Sequence, residues 1–203
     1  MKEFVEIQHW GWNPIIITSF LTMCFTILQG YGVIKQGQKI WTTKSGKSVS
    51  TFPFFFSCFY FFAFLSYGLG KMSLAIIFNG LLGFLYLPVI IGLIKFKKFK
   101  LYEKIILPAT ALVIPAMIIT TKKDSFLFIL LMIIIITVIA QALEIRREKS
   151  RGSVEIRFII ILLLTNIFWL TYSIIMDNWP LKIFNSLAII VYLWGIYLYK
   201  KYK

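Results

Sequence analysis

Two asparagines lie inside long apolar segments of the chain, where a polar side chain needs a partner. Asn79 and Asn185 each lie about six residues into an apolar run, at about 1.5 Å per residue if the run is helical. An aromatic residue precedes each of them at a comparable depth, Phe64 in the first case and Trp169 in the second. Aromatic faces pack on C–H surfaces, and carboxamides both donate and accept hydrogen bonds. These side chains suit a polyhydroxylated or similarly amphiphilic solute, although asparagines inside a membrane also hold helices together.

The rest of the sequence offers little for catalysis. The single histidine, His9, lies in the N-terminal segment. No apolar segment contains paired carboxylates, a cysteine with a histidine partner or metal-ligand spacing. Cys24 and Cys58 lie within apolar runs, which favours small core residues over a disulfide or a metal site. We therefore expect no enzymatic activity, no cofactor and no metal.

The elements that must position these residues are membrane spans. Of the 203 residues, 59% are hydrophobic and 15% charged, whereas a soluble domain has roughly 45–50% apolar and about 25% charged residues. A bilayer core about 30 Å thick needs about 20 apolar residues per helix, so about seven spans fill the chain. The apolar runs predict spans at residues 15–35, 52–69, 73–94, 105–119, 126–143, 156–176 and 180–199. Pro108 and Pro115 predict a kinked fourth span.

The net charge of +14 is distributed asymmetrically. Lysines and arginines follow the first, third and fifth predicted spans and end the chain, as in the cluster of Lys95, Lys97 and Lys98. By the positive-inside rule these connections are cytoplasmic, so the N-terminus is outside and the C-terminus inside, in the cell membrane. Because the charges are divided among short loops, we expect the lipid bilayer and not nucleic acid as the partner.

The sequence also repeats itself at an offset of 105 residues. One inserted residue in the second copy then places Asn79 on Asn185. These matches predict a first three-helix repeat at 1–100, a linker helix at 101–122 and a second repeat at 123–203, with the repeats parallel, as in some transporters. The matched pairs favour a binding role for the asparagines. The matches are Gln36 with Gln141, Ile40 with Ile145, Lys44 with Lys149, Ser45 with Ser150, Ser48 with Ser153, Val49 with Val154, and Tyr67 with Tyr172.

The repeated segments resemble the SWEET and SemiSWEET sugar transporters of the PQ-loop, or MtN3-like, group. The resemblance is carried by TKSGKSVSTFPFFFS with REKSRGSVEIRFIII, and by FLSYGLGKMSLAIIFNG with FWLTYSIIMDNWPLKIFNS. It implies an all-α membrane protein in which two parallel three-helix bundles are joined by a linker helix. It also implies facilitative sugar transport by alternating access, with a central pocket between the repeats.

The resemblance also implies roles for particular residues. Asn79 and Asn185 match the substrate-binding asparagines of the family, and Trp169 matches the aromatic residue that sandwiches the sugar. Phe64 keeps the ring but lacks the indole N–H. The further binding candidates are Tyr60 and Thr165, at positions that shape substrate size in the family, and Gln29.

Hinge or gate candidates follow from the same resemblance. They are Pro53, Gln36, Gln141, Tyr67 and Tyr172. The sequence departs from the family pattern at several of these places: Lys35 and Ala140 replace the prolines before the two glutamines, Phe158 is the counterpart of Pro53, and Leu74 replaces the proline represented by Pro180.

Other functions on the same fold stay open. A vitamin or nucleoside could be the solute, since Tyr31, Tyr60 and Phe64 suit stacking on a heterocycle. A seven-helix sorting receptor would need membrane-embedded charges to read a peptide carboxylate, and none is evident in the spans. All eight acidic residues fall in loops or at helix ends, which predicts uniport. The sequence is compatible with a homo-oligomer.

Overall fold

The computed structural model describes residues 3–45, 51–99, 101–149 and 156–202. These ranges are helical apart from their connections, and each predicted span coincides with one helix or with consecutive helices. The helices are α1 Val5–Gln8, α2 Pro14–Thr43, α3 Thr51–Lys71, α4 Leu74–Gly80, α5 Leu82–Phe96, α6 Leu101–Ala109, α7 Val113–Ile119, α8 Lys123–Glu148, α9 Ile156–Ile175 and α10 Trp179–Lys201, with a 3₁₀ turn at Thr110–Leu112 between α6 and α7.

Several helices have the length and composition of membrane spans. Among the described residues, four segments are long and apolar enough to cross a bilayer: Pro14–Thr43, Thr51–Lys71, Leu74–Phe96 and Trp179–Lys201. Large apolar side chains such as Phe20, Ile136 and Ile190 are more than half exposed on the helix surfaces. Exposed apolar surface of this extent suits contact with lipid, which is as apolar as the side chains.

Helix α2 is longer than its apolar run. The run was predicted to end at Lys35, but α2 continues to Thr43. Backbone hydrogen bonds do not require apolar side chains, so a helix can extend past the hydrocarbon into polar surroundings. Hydropathy therefore located this helix correctly and underestimated its length.

The fourth predicted span is interrupted, and the predicted kink stays a prediction. The 3₁₀ turn at Thr110–Leu112 separates α6, which contains Pro108, from α7. A proline inside a helix removes one backbone donor and clashes with the preceding turn. The third span is also interrupted, at Leu81 between α4 and α5, and contains Pro88.

The chain forms two compact units. The first comprises Met1–Gln8 and Thr26–Lys123, and the second comprises His9–Phe25 and Asp124–Lys203. Helix α2 contributes residues to both. The repeat boundaries at 1–100, 101–122 and 123–203 stay a prediction.

In the first unit, helix α3 packs closely on α4. A Cβ atom added to Gly80 would lie 2.5 Å from Leu65 Cα, so only glycine permits this approach. Helix α2 packs on α5 through buried Val33, Ile40, Val89 and Leu93. Across the same contact, Trp41 Nε1 donates a hydrogen bond to the Pro88 carbonyl at 2.9 Å.

In the second unit, helix α10 packs against α9. Phe25 and Phe168 stack with ring centroids 4.7 Å apart. Helices α8 and α10 contact each other through buried Ala142, Ile145 and Leu198.

The internal repeat is visible in the backbone. Non-glycine residues with positive φ are uncommon, and in the described residues they are Lys44, Met72, Lys149 and Asp177, with φ of 47°, 52°, 48° and 48°. Lys149 follows Lys44 by 105 residues, and Asp177 follows Met72 by the same number, which is the offset found in the sequence. The turns before α4 and α10 also share a bond: Ser73 N donates to Gly68 O at 3.1 Å, and Asn178 N donates to Ser173 O at 2.9 Å.

Candidate functional site

Asn79 is held by a neighbouring helix of the first unit. Its side chain is buried near the end of α4, and its Nδ2 atom donates a hydrogen bond to Thr26 Oγ1 on α2 at 2.9 Å. Thr26 is also buried. This bond fixes the carboxamide in one orientation across two helices.

Asn185 is held differently in the second unit. It is buried in α10, and its Nδ2 atom donates to the carbonyl of Leu181, one turn earlier in the same helix, at 2.6 Å. The two asparagines are therefore not equivalent: one bridges two helices, and the other bonds to its own backbone.

The two asparagines also differ in their position along the helix. Ser73 and Asn178 are the N-cap residues of α4 and α10, and they match at the backbone offset of 105. Asn79 follows its cap by six residues, whereas Asn185 follows by seven. One residue corresponds to about 100° around an α-helix. The inserted residue of the second copy therefore lies in the first two turns of α10. Measured from the cap of its own helix, Asn185 is turned by about 100° around the helix axis compared with Asn79.

Phe64 belongs to a row of three aromatic rings on α3. The Tyr60 and Phe64 rings stack with centroids 5.6 Å apart and an interplanar angle of 18°. The Phe64 and Tyr67 rings are nearly parallel, at 8° and 6.1 Å. All three side chains are buried. The Phe64 ring thus packs against two other rings of its own helix, and its role in solute binding stays a prediction.

Trp169 has a different aromatic neighbour. Its ring meets the Tyr172 ring edge to face, at 5.5 Å and 84°, and both residues are buried in α9. One turn before Trp169, Thr165 is buried and donates through Oγ1 to the Ile161 carbonyl at 2.8 Å. In the second unit the predicted residues Trp169 and Tyr172 are therefore in contact.

The remaining predicted residues occupy varied environments. Gln29 and Gln36 are half-buried on α2. Pro53 lies in the first turn of α3, where a helix tolerates proline without a kink. The side chain of Gln141 lies outside the described residues, as do the predicted repeat matches at Ser48, Val49, Ser150, Ser153 and Val154.

A row of buried hydroxyl groups on α2 was not anticipated. Thr18, Ser19, Thr22 and Thr26 are all buried, and the spacing of the threonines by four residues places them on one helix face. Thr22 Oγ1 donates to the Ser19 carbonyl at 2.7 Å. Ser19 Oγ makes no hydrogen bond among the described residues. The four-residue spacing of threonines in an apolar run was a signal that could have revealed this row.

Asn166 is a further missed residue. It is buried in α9, next to Thr165, and its Nδ2 atom donates to the Leu162 carbonyl at 2.7 Å. The rule that identified Asn79 and Asn185, an amide inside an apolar run, applies equally to Asn166. Its absence from the repeat matches, where Phe61 is its counterpart, is the reason that it was overlooked.

Charged groups lie at the helix ends. In the second unit, Lys182 in the first turn of α10 donates a hydrogen bond to the exposed carboxylate of Asp177 in the preceding turn and attracts it electrostatically, which lowers the pKa of Asp177. In the first unit, Lys97 Nζ donates to Thr51 Oγ1 at 3.1 Å, and Thr51 Oγ1 donates to Glu103 Oε1 at 2.5 Å. Within the described part of the chain, no group of three or more His, Cys, Asp or Glu side chains could hold a metal ion.

The helices and the amides buried within them define an integral membrane protein of the all-α class. A solved structure of a eukaryotic SWEET transporter is similar to this chain, with a TM-score of 0.76 and 15% sequence identity, covering 93% of this chain and 96% of that one. This similarity confirms the predicted SWEET-like fold. No protein-family model and no curated protein matches the chain by sequence.

Proposed function

We propose that this chain is a facilitative transporter that carries a mono- or disaccharide across the membrane by alternating access. The observation that supports this most is the SWEET fold, which covers 93% of the chain and belongs in that solved structure to a transporter. The chain adds a buried asparagine and a buried aromatic residue in each repeat. These residue types are suited to a solute with both hydroxyl groups and C–H faces.

In this proposal the solute binds in a central pocket to which both repeats contribute. Asn79 and Asn185 exchange hydrogen bonds with solute hydroxyl groups, and Trp169 covers a C–H face of the sugar ring. Thr165 and Tyr60 limit the size of the solute. Because Thr26 already orients Asn79, the carboxamide of the first repeat is preorganised, which lowers the entropy cost of binding.

The proposed transporter is a uniporter. The described acidic residues lie in the N-terminal segment, in the turn before α10 or near helix ends, and none lies mid-span where a proton could be exchanged with the solute. The solute gradient then supplies the free energy. The distribution of basic residues supports a cell-membrane protein with its N-terminus outside and its C-terminus in the cytoplasm.

Transport by purified protein in liposomes tests the proposal. We expect uptake of labelled glucose or sucrose that saturates with concentration and stops when the internal and external concentrations are equal. The Asn79→Ala and Asn185→Ala variants should lose this flux. Accumulation driven by a membrane potential or a pH gradient would contradict uniport, and unchanged flux in both variants would contradict the pocket.

A heterocyclic solute, such as a nucleoside or a vitamin, is the second candidate. The near-parallel rings of Tyr60, Phe64 and Tyr67 favour it, because aromatic rings stack on flat heterocycles. Competition of labelled uptake by glucose, sucrose and nicotinamide riboside separates the two candidates. Inhibition by the riboside alone supports the second candidate.

A further inference from the structure

The N-terminal segment of the first unit folds onto the start of helix α4. Glu6 in α1 is 4% exposed. Its Oε2 atom accepts a hydrogen bond from Leu74 N at 2.9 Å. Its Oε1 atom accepts from Ala75 N and from Ser73 Oγ, each at 3.1 Å. Val5 N also donates to the Met72 carbonyl at 2.9 Å, so the segment is attached at two consecutive residues.

This contact completes the hydrogen bonding of the first turn of α4. The first four N–H groups of a helix have no partner within it. In α4, Glu6 accepts from two of these groups, those of Leu74 and Ala75. Of the other two, Ile76 N donates to Ser73 Oγ at 3.2 Å, and the N–H of the cap residue Ser73 donates to the Gly68 carbonyl at 3.1 Å. A carboxylate at this end also interacts favourably with the helix dipole.

Helix α10 begins with a different cap, in which an amide side chain accepts from the first turn. Asn178 is its N-cap, and its Oδ1 atom accepts from Leu181 N at 3.3 Å. The second residue of α10 is Pro180, which has no N–H group and is well suited to a first helical turn. Because the caps Ser73 and Asn178 match at the backbone offset of 105, Pro180 corresponds to Ala75 of α4 and not to Leu74, the counterpart expected from the sequence. The first repeat therefore has a donor at the position where the second repeat has none, and Glu6 accepts from that donor.

We propose that Glu6 is a positioning residue that replaces the first-turn proline missing from the first repeat. By fixing the start of α4, it fixes the helix that carries Asn79 six residues after the cap. The close approach of Gly80 to Leu65 at the other end of α4 leaves this short helix little freedom once its start is fixed. The positioning role rests on the proposed function of Asn79, whereas the replacement of proline by Glu6 does not.

A double-variant experiment tests the replacement. In Glu6→Ala, Leu74 N and Ala75 N lose their acceptor, so the start of α4 should open more often, and we expect amide hydrogen exchange in residues 76–80 to accelerate by about tenfold or more. Glu3→Ala is the matched control, since Glu3 is an exposed carboxylate on the same segment, and it should leave the exchange unchanged. Adding Ala75→Pro to Glu6→Ala should restore most of the protection.

Two single variants, Ala75→Pro and Glu6→Gln, complete the test. Ala75→Pro alone should lower the melting temperature, because it removes a donor from Glu6 and adds atoms at a buried position. If the proline is too large for this position in both backgrounds, Glu6→Gln decides instead. It keeps the side-chain shape but presents an NH₂ group to the helix start, so it should accelerate exchange nearly as much as Glu6→Ala. Unchanged exchange in both Glu6 variants overturns the inference.

Transport kinetics test the positioning role separately. We expect Glu6→Ala to raise the KM for the transported sugar several-fold while the maximal rate stays within about twofold, and Ala75→Pro to reverse the change in KM. Faster exchange with an unchanged KM would overturn the positioning role, and Glu6 would then be a structural cap of α4 without an effect on solute binding. If the wild-type protein carries no sugar, the proposed function fails, and hydrogen exchange still decides whether Glu6 caps α4.

Discussion

The two asparagines differ in what their removal leaves behind. Asn79→Ala deprives the buried Thr26 hydroxyl of its bond from another helix, which should destabilise the protein by about 1–3 kcal/mol. Asn185→Ala removes a bond within α10, the one bond of this side chain that joins described residues, so we expect a loss of less than about 1 kcal/mol. Thermal unfolding of the purified variants measures both. Asn166→Ala is the matched control for Asn185→Ala, because Asn166 also bonds to its own helix. Equal losses at Asn79 and Asn185 would contradict this distinction.

The two aromatic residues should also respond differently to replacement. Phe64 packs between Tyr60 and Tyr67, so Phe64→Leu should mainly reduce stability, by about 1 kcal/mol. Trp169→Leu should mainly weaken solute binding and raise the KM by about tenfold, which corresponds to about 1.4 kcal/mol. Uptake measured against sugar concentration, together with melting temperature, separates the two effects. A larger rise in KM for Phe64→Leu than for Trp169→Leu would contradict the assignment of Phe64 to packing and Trp169 to solute binding.

Sequence reasoning identified only some of the buried polar residues. Asn79 and Asn185 stood out because amides are rare in apolar runs and because each matched the other in the repeat. The hydroxyl groups of Thr18, Ser19 and Thr22 did not, since a threonine or serine hydroxyl can bond to its own helix and is common in membrane helices. The bond between Thr26 and Asn79 joins residues far apart in sequence, and no local pattern reveals such a contact.

At the scale of helices, the approach of α3 to α4 depends on glycine. A Cβ atom at residue 80 would lie 2.5–2.6 Å from the backbone and Cβ of Leu65. Gly80→Ala should therefore destabilise the protein by about 1–3 kcal/mol or more, through overpacking. Gly195→Ala is the control, because a Cβ there meets nothing within 4 Å, and it should stabilise α10 by about 0.5–1 kcal/mol. The melting temperatures of both variants and the wild-type protein in the same detergent measure these effects. A Gly80→Ala variant as stable as the wild-type protein would contradict the close approach of α3 to α4.

The helices themselves were largely predictable. Each long apolar run became a helix because a backbone in a bilayer must satisfy its own hydrogen bonds, and Pro108 and Pro115 marked the interrupted fourth span. Hydropathy did not reveal the polar extension of α2 to Thr43 or the short helix α1. Helix α1 is held by contacts of Val5 and Glu6 with residues 72–75, which its own sequence does not encode.

At the scale of the whole molecule, the distribution of basic residues predicts which ends of the helices face outwards. In a background with Cys24 and Cys58 replaced by serine, Thr121→Cys should react with a membrane-impermeant maleimide added to intact cells. Lys98→Cys should react only after the membrane is permeabilised. Both positions are exposed and lie between helices, so they differ chiefly in the side of the membrane. The opposite labelling pattern would contradict the orientation derived from the positive-inside rule.

The bonds between Glu6 and the start of α4 also bear on how the protein is made. Glu6 and Ala75 are 69 residues apart in sequence, and ribosomes add about 5–20 residues per second. At least about 3–14 s therefore pass between the synthesis of Glu6 and that of the helix that it caps. The first two spans are synthesised during this interval. Throughout it, the carboxylate has to remain on the same side of the bilayer as the later turn between α3 and α4. A bulky folded tag fused before residue 3 should consequently reduce correct membrane insertion more than the same tag after the C-terminus, as judged by the yield of monodisperse protein.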